Sequence, residues 1–290
     1  MEKIHSYPGA SEYLNSLGDA DTTVACVGTQ HTFGMSYPDG NYDYEQTWPG
    51  QLAELTGHNC LNFGVTGSSI QPFAERILRI KELYDPDVYV LEVPMHEKIT
   101  LGYELEDEIN KDDQFFSHTR VLGKDFTLGQ SGKLFRCNFG AGEFNSEEDM
   151  QYAVDEKFTR IAEKWKDHEI DTLPFNLDDL ISWGKVFAWQ TRRNFWQVRY
   201  TQEIFSIQCI MENIGKPFLM FQWNYNTFKS PFVELLKKEH WLNQSWSGNL
   251  KKSLRQKPEV WADQQHLNPK GMKYIAEMIY ADYPRIMAGK

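Results

Sequence analysis

The sequence predicts an α/β fold, a parallel sheet flanked by helices, on three observations. Short apolar runs rich in β-branched residues alternate with stretches of helical periodicity, which marks strand–helix units and not a sandwich or a bundle. Three of those runs stop at Gly28, Gly64 and Pro94, residues that close a strand. The 290 residues, 41% hydrophobic and 24% charged, supply one large core or two small ones and exclude disorder as the main state.

The first run, Thr22-Thr23-Val24-Ala25-Cys26-Val27, reads as a buried strand ending at Gly28. The second, Asn59-Cys60-Leu61-Asn62-Phe63, stops at Gly64, and a helix is expected from about Ile70 to Leu83 because Phe73, Ile77, Ile80 and Tyr84 recur near helical spacing. The third, Asp87 to Val93, ends at Pro94, which cannot continue a central ladder. A long helix from Asn194 to Asn213, stopped by Gly215, leads into a fourth strand, Lys216 to Trp223. Asn268 and Pro269 read as the cap and first position of a terminal helix whose inner face is Met272, Ile275, Ala276 and Ile279.

Between the third strand and the long helix, residues 97–189 read as an insertion, a lid or small second lobe on an α/β domain made of residues 1–96 and 190–290. Its first half, through Gly123, Gly129, Gly132, Gly140 and Gly142, reads as loop with room for a hairpin and has no clear strand series. Its second half, Asp149 to Ile170, has an amphipathic pattern.

Composition excludes several functions. The formal charge is −11 and no Lys/Arg block exceeds a pair such as Lys237-Lys238, so a phosphate backbone is repelled and no nucleic-acid partner is expected. No stretch approaches the ~18 apolar residues needed to span a bilayer, and Met1 to Ser6 have no apolar run behind their charges, so no membrane partner and a cytoplasmic location are expected. Cys26, Cys60, Cys137 and Cys209 contain no Cys-x-x-Cys pair and read as buried thiols. His96, Glu92 and His31 lack the spacing of a metal site, so neither metal nor other cofactor is expected.

In an open parallel sheet the ligand crevice lies beyond the carboxyl ends of the strands. Four segments fall there: Gly28 to Gly34, Asn62 to Ser69, Pro94 to Lys98, and Trp261 to Gly271. In the last, Asp263 stands three residues before His266. A carboxylate so placed can hold the imidazole Nδ1–H, leave Nε2 as a base and stabilise the imidazolium; a capped loop with an exposed histidine is the plain structural alternative.

Together these segments resemble the SGNH/GDSL hydrolases, from about Thr22 to Tyr280 apart from the insertion. Gly28 and Gly34 match the glycines of the family's first block, and His31-Thr32-Phe33 is similar to the variant common in members from tailed phages. Gly64 matches the glycine whose N–H donates to the oxyanion, and Asp263 with His266, followed by Leu-Asn-x-x-Gly, matches the last block. The resemblance implies a three-layer α/β/α, flavodoxin-like fold and an esterase-type activity, with His266 as general base, Asp263 as its orienter, and the amides of Gln30 and Gly64 on the oxyanion. Thr29, His31, Ser68 and His96 are then expected around the substrate.

The chain departs from that pattern at two positions. Gln30 stands where the family keeps its serine, and a primary amide cannot be activated by a histidine base as a hydroxyl can. Pro94-Met95-His96 offers no match for the third-block asparagine. Three alternatives remain open: a hydroxyl from Thr29, Thr32, Ser68 or Ser69; a water activated by His266 and oriented by Gln30; or a pocket that binds without reacting. The resemblance therefore implies an ester hydrolase for a small-molecule or carbohydrate O-acyl or O-acetyl group. The alternative is an inactive glycan- or ligand-binding module, such as a virion or host-recognition component. Trp241 and Trp246, in polar surroundings, are candidates to stack on a sugar ring.

Overall fold

The computed structural model describes residues 21–34, 43–64, 70, 73–94, 98–102, 119–123, 126–129, 134–138, 195–223, 230–245, 250–262 and 266–288. Along the chain come β1 (Thr23–Gly28), a single helical turn α1 (Gln30–Phe33), α2 (Trp48–Thr56), β2 (Asn59–Gly64), α3 (Phe73–Tyr84) and β3 (Val88–Val93). Strands β4 (Lys98–Gly102), β5 (Thr119–Gly123), β6 (Phe126–Gly129) and β7 (Leu134–Asn138) follow. Next are α4 (Phe195–Ile214), β8 (Phe218–Gln222), α5 (Leu250–Arg255) and α6 (Pro269–Ala288).

β1, β2, β3 and β8 form one sheet in the order β2-β1-β3-β8, with every pair parallel. This is the flavodoxin-like order, and its direction reverses between β1 and β3, which places the crevice beyond Gly28 and Val93. Because strand side chains alternate, each strand feeds two cores. Val24, Cys26, Val88, Val90 and Phe221 pack on one face with Trp48 and Leu52 of α2 and Ile275 and Ile279 of α6. Ala25, Val27, Tyr89, Leu91 and Met220 pack on the other with Ile77 and Ile80 of α3 and Ile204 and Ile207 of α4. The result is the expected three-layer α/β/α architecture. Each fully buried Leu, Ile or Val contributes roughly 1.5–3 kcal/mol, so both faces are needed to hold the strand ends in register.

The predicted strands and helices agree with these elements to within a few residues. Asn268 caps α6 as expected: its Oδ1 accepts the Gly271 N–H at 3.1 Å.

The structure corrects the sequence reading in four places. Helix α2 was not anticipated, although Thr47 accepts the Gly50 N–H on its hydroxyl, Pro49 sits in the first turn and Gly57 follows the last. Residues 98–138 hold four strands and not loop alone: an antiparallel sheet in the order β4-β7-β6-β5 whose β5–β6 and β6–β7 pairs are hairpins. Gly123 and Gly129, which read as loop, are strand ends there. The helical pattern from Asp149 to Ile170 lies outside the described residues. Cys209 is exposed on the outer face of α4, unlike the buried Cys26 and Cys60.

Trp241 is the fourth correction. It is only 1% exposed and bridges Met220 on the outer edge of β8, with Arg285 donating to its carbonyl at 3.2 Å. A ring used to cover a sheet edge is not open to a sugar. Trp246 lies outside the described residues.

Candidate functional site

The site is built first from the turn that leaves β1. Glu92, on β3 level with Gly28, is 1% exposed, and its carboxylate receives four donors from that turn. Oε1 accepts the Thr29 hydroxyl at 2.5 Å. Oε2 accepts the Thr29 N–H at 3.1 Å, the Thr32 N–H at 2.9 Å and the Thr32 hydroxyl. Burial raises the Glu92 carboxyl above the ordinary glutamate value, and the four hydrogen bonds pull it partly back.

Further bonds fix the same turn. Asn62, buried on β2, donates from Nδ2 to the Thr32 carbonyl at 2.8 Å and accepts the Gly64 N–H on Oδ1 at 2.9 Å. Arg76, buried on α3, donates from Nη1 to the Gly28 carbonyl at 3.1 Å. Gly28 is required by close approach: a Cβ there overlaps the Thr32 hydroxyl and stands 2.6 Å from Glu92 Oε2. Gly34 closes the turn at φ +97°, in the left-handed region that favours glycine.

On this frame His31 is buried and lies flat on Trp223, the residue after β8, with ring centroids 4.0 Å apart and planes at 24°. Trp223 meets Trp261 edge to face at 5.9 Å. From the loop before α6, the half-buried His266 brings its ring centroid to 6.3 Å from that of His31. The ends of that loop are tied by the Ala262 N–H to His266 carbonyl bond at 2.9 Å and a Trp261–Leu267 bridge. Asn268 Nδ2 anchors it further on the Glu259 carbonyl at 2.8 Å. At the end of β3, Tyr200 of α4 donates its hydroxyl to the Pro94 carbonyl at 2.6 Å.

Among the predicted site residues, the structure therefore brings His31 and His266 together and places Thr29 under the same turn. Thr29 is 3% exposed, and both its hydroxyl and that of Thr32 are donated to Glu92, so neither is a free nucleophile. The Gly64 N–H is directed at Asn62, a bond that an oxyanion would have to share or displace. Gln30 opens α1, its side chain outside the description; Asp263, Ser68, Ser69 and His96 also lie outside the described residues. Among the described residues no group of three metal-ligating side chains occurs. No helix among them is long and apolar enough to cross a membrane.

Sequence reasoning missed the supporting residues. Glu92 was weighed only as a metal ligand; the signal was a lone carboxylate inside the apolar run Val90-Leu91-Glu92-Val93. Arg76 on the inner face of α3 and Asn62 inside β2 are the same kind of signal, a polar residue on a buried position.

No protein-family model and no curated protein matches the chain. Solved structures with some likeness include a Desulfitobacterium hafniense DCB-2 protein ascribed to the lipolytic G-D-S-L family, at 12% identity and a TM-score of 0.38, covering 90% of this chain and 99% of that one. Another is LAE5, an alpha/beta hydrolase enzyme from the metagenome of Lake Arreo, Spain, at 11% identity and a TM-score of 0.32, covering 93% of this chain and 98% of that one. Both scores lie below 0.5, so it is strand order and register that establish the flavodoxin-like fold of this chain.

Proposed function

We propose that the protein is an ester hydrolase of SGNH type, acting on an O-acyl or O-acetyl group of a small molecule or carbohydrate. The observation that carries this reading is the 6.3 Å approach of His266 to His31 at the carboxyl ends of the strands, which joins the first and last motif blocks beside the switch point. In this reading His266 Nε2 takes a proton from the attacking oxygen, and Asp263 holds the imidazole and stabilises its cation.

With the Thr29 and Thr32 hydroxyls committed to Glu92, the attacking oxygen belongs to water oriented by Gln30, or to Ser68 or Ser69. Attack on the carbonyl carbon gives a tetrahedral oxyanion held by the Gln30 amide, with Gly64 joining if its N–H leaves Asn62. Collapse breaks the C–O bond, and the proton on His266 passes to the departing alcohol; where a serine has attacked, a water that gives its proton to His266 then adds to the acyl-serine, and collapse frees the acid and returns the proton to the serine oxygen. In this reading residues 97–189 are a lid or a small second lobe, and the reaction needs no metal or cofactor.

The commitment of both first-block hydroxyls favours a second reading, a binding module of the same fold that holds an acylated glycan without cleaving it, as a virion or host-recognition component would. Initial-rate hydrolysis of short-chain acyl esters and an acetylated sugar by the native chain and His266→Ala separates the two. Turnover lost in His266→Ala supports the hydrolase. Absence of turnover, with calorimetric binding of the acetylated sugar, supports the binding module.

A further inference from the structure

We infer that Glu92 is the positioning residue of this site: its buried carboxylate clamps Thr29 and Thr32, the residues on either side of Gln30-His31, and so sets where His31 stands against Trp223 and His266. The inference deepens the hydrolase reading, and its kinetic arm rests on that reading, but the geometry stands without it.

Four donors converge on one carboxylate from two residues, Thr29 just before a single helical turn and Thr32 within it. A four-residue turn has almost no stability of its own, since nucleating a helix costs more than its first bond returns. Thr29 and Thr32 are held through both backbone and side chain, which leaves the two intervening residues little freedom. His31 then lies flat on Trp223 and faces His266. Gly28 permits the close approach of carboxylate and turn, since even a methyl group there would strike Thr32 and Glu92.

The arrangement needs acceptor oxygens more than it needs charge. Oε2 receives two backbone N–H groups that can only donate, so it must accept. Among the described residues Oε1 meets only the Thr29 hydroxyl, which can donate to a carboxylate or accept from a protonated acid or an amide. A neutral side chain of the same shape therefore holds the turn as well, consistent with the upward push that burial gives this carboxyl.

The test compares Glu92→Gln with Glu92→Leu. With its ring stacked on Trp223, the His31 Cε1–H is expected to resonate upfield of a free imidazole, a signature independent of turnover. Glu92→Gln is expected to keep that shift, and Glu92→Leu to lose it at a temperature where its amide spectrum remains that of a folded chain. In kinetics, Glu92→Leu is expected to lose about 100-fold in kcat/KM, as about 1 Å of misplacement does, with the loss in kcat, while Glu92→Gln stays near native.

If Glu92→Leu fails to fold, the Thr29→Val/Thr32→Val pair, which leaves the carboxylate only its backbone donors, is expected to displace the His31 signal partway. A folded Glu92→Leu with an unchanged His31 shift, or an unmoved signal in the Thr pair, overturns the inference. A native chain without esterase activity overturns the hydrolase reading and leaves the His31 shift to decide this one.

Discussion

The imidazoles of His31 and His266 come from opposite ends of the chain and lie with ring centroids 6.3 Å apart, His31 held flat on Trp223 and His266 on the loop that Asn268 anchors. The first ring is fixed by the turn after β1 and the second by the entry to α6. Changes to either support should therefore be felt at the pair.

Asn268→Ala removes the α6 cap and both bonds from Nδ2, to the Glu259 carbonyl and, at 3.3 Å, to the Trp261 carbonyl. The expected cost is about 1–2 kcal/mol in chemical denaturation. On the hydrolase reading kcat falls further than that cost alone explains, because the His266 loop loses its anchor. Asn268→Asp keeps the cap but turns an acceptor oxygen toward the Glu259 and Trp261 carbonyls, and should recover only part of the stability.

Gly28→Ala drives a methyl group into the Thr32 hydroxyl and Glu92, neither of which can yield, since each is held by the other. A loss of about 3 kcal/mol is expected in urea titration. A change within 0.5 kcal/mol, roughly that of an ordinary surface substitution, would mean the turn is looser than described.

Thr29→Val separates a nucleophile from a structural hydroxyl. Removing the donor to Glu92 Oε1 is expected to lower stability by about 1–2 kcal/mol while His266-dependent turnover persists. Full stability with abolished turnover would make Thr29 the reacting group.

A pH dependence follows from His240, far from the site at the amino end of β8. Its ring stacks on Phe218 with centroids 4.1 Å apart, and this partial burial holds it below the usual histidine value, with Glu212, 3.2 Å from Nε2, pulling the other way. A lowered folded value means the unfolded chain binds the proton more tightly. The stability it contributes is thus present above the unfolded value near 6.5 and lost as pH falls through the lower folded value. Melting temperatures taken from pH 8 downward should fall less in His240→Phe than in the native chain.

Much of the fold was legible because its signals are local. The runs ending at Gly28, Gly64 and Pro94 and the Asn268-Pro269 cap carry their own punctuation, and parallel strands buried on both faces leave continuous apolar runs. Helix α2 was missed although Thr47, Pro49 and Gly57 mark its ends, because its buried face includes Trp48, Pro49 and Gly50 and gives little periodicity. Strands β4 to β7 were obscured by glycine and charge in short segments. At the site, the blocks could be read but not what holds them: Glu92, Asn62 and Arg76 act across 30 or more positions, through contacts that only the closed fold creates.

The central claim is that the first block and His266 form one reaction site. Its most direct test is ester hydrolysis by Gln30→Ser, with Gln30→Ser/His266→Ala as the control. A serine placed on the turn beside His266 is expected to gain turnover on short-chain acyl esters, and the double variant to lose it. A folded Gln30→Ser that remains silent, or whose activity survives without His266, would contradict the account.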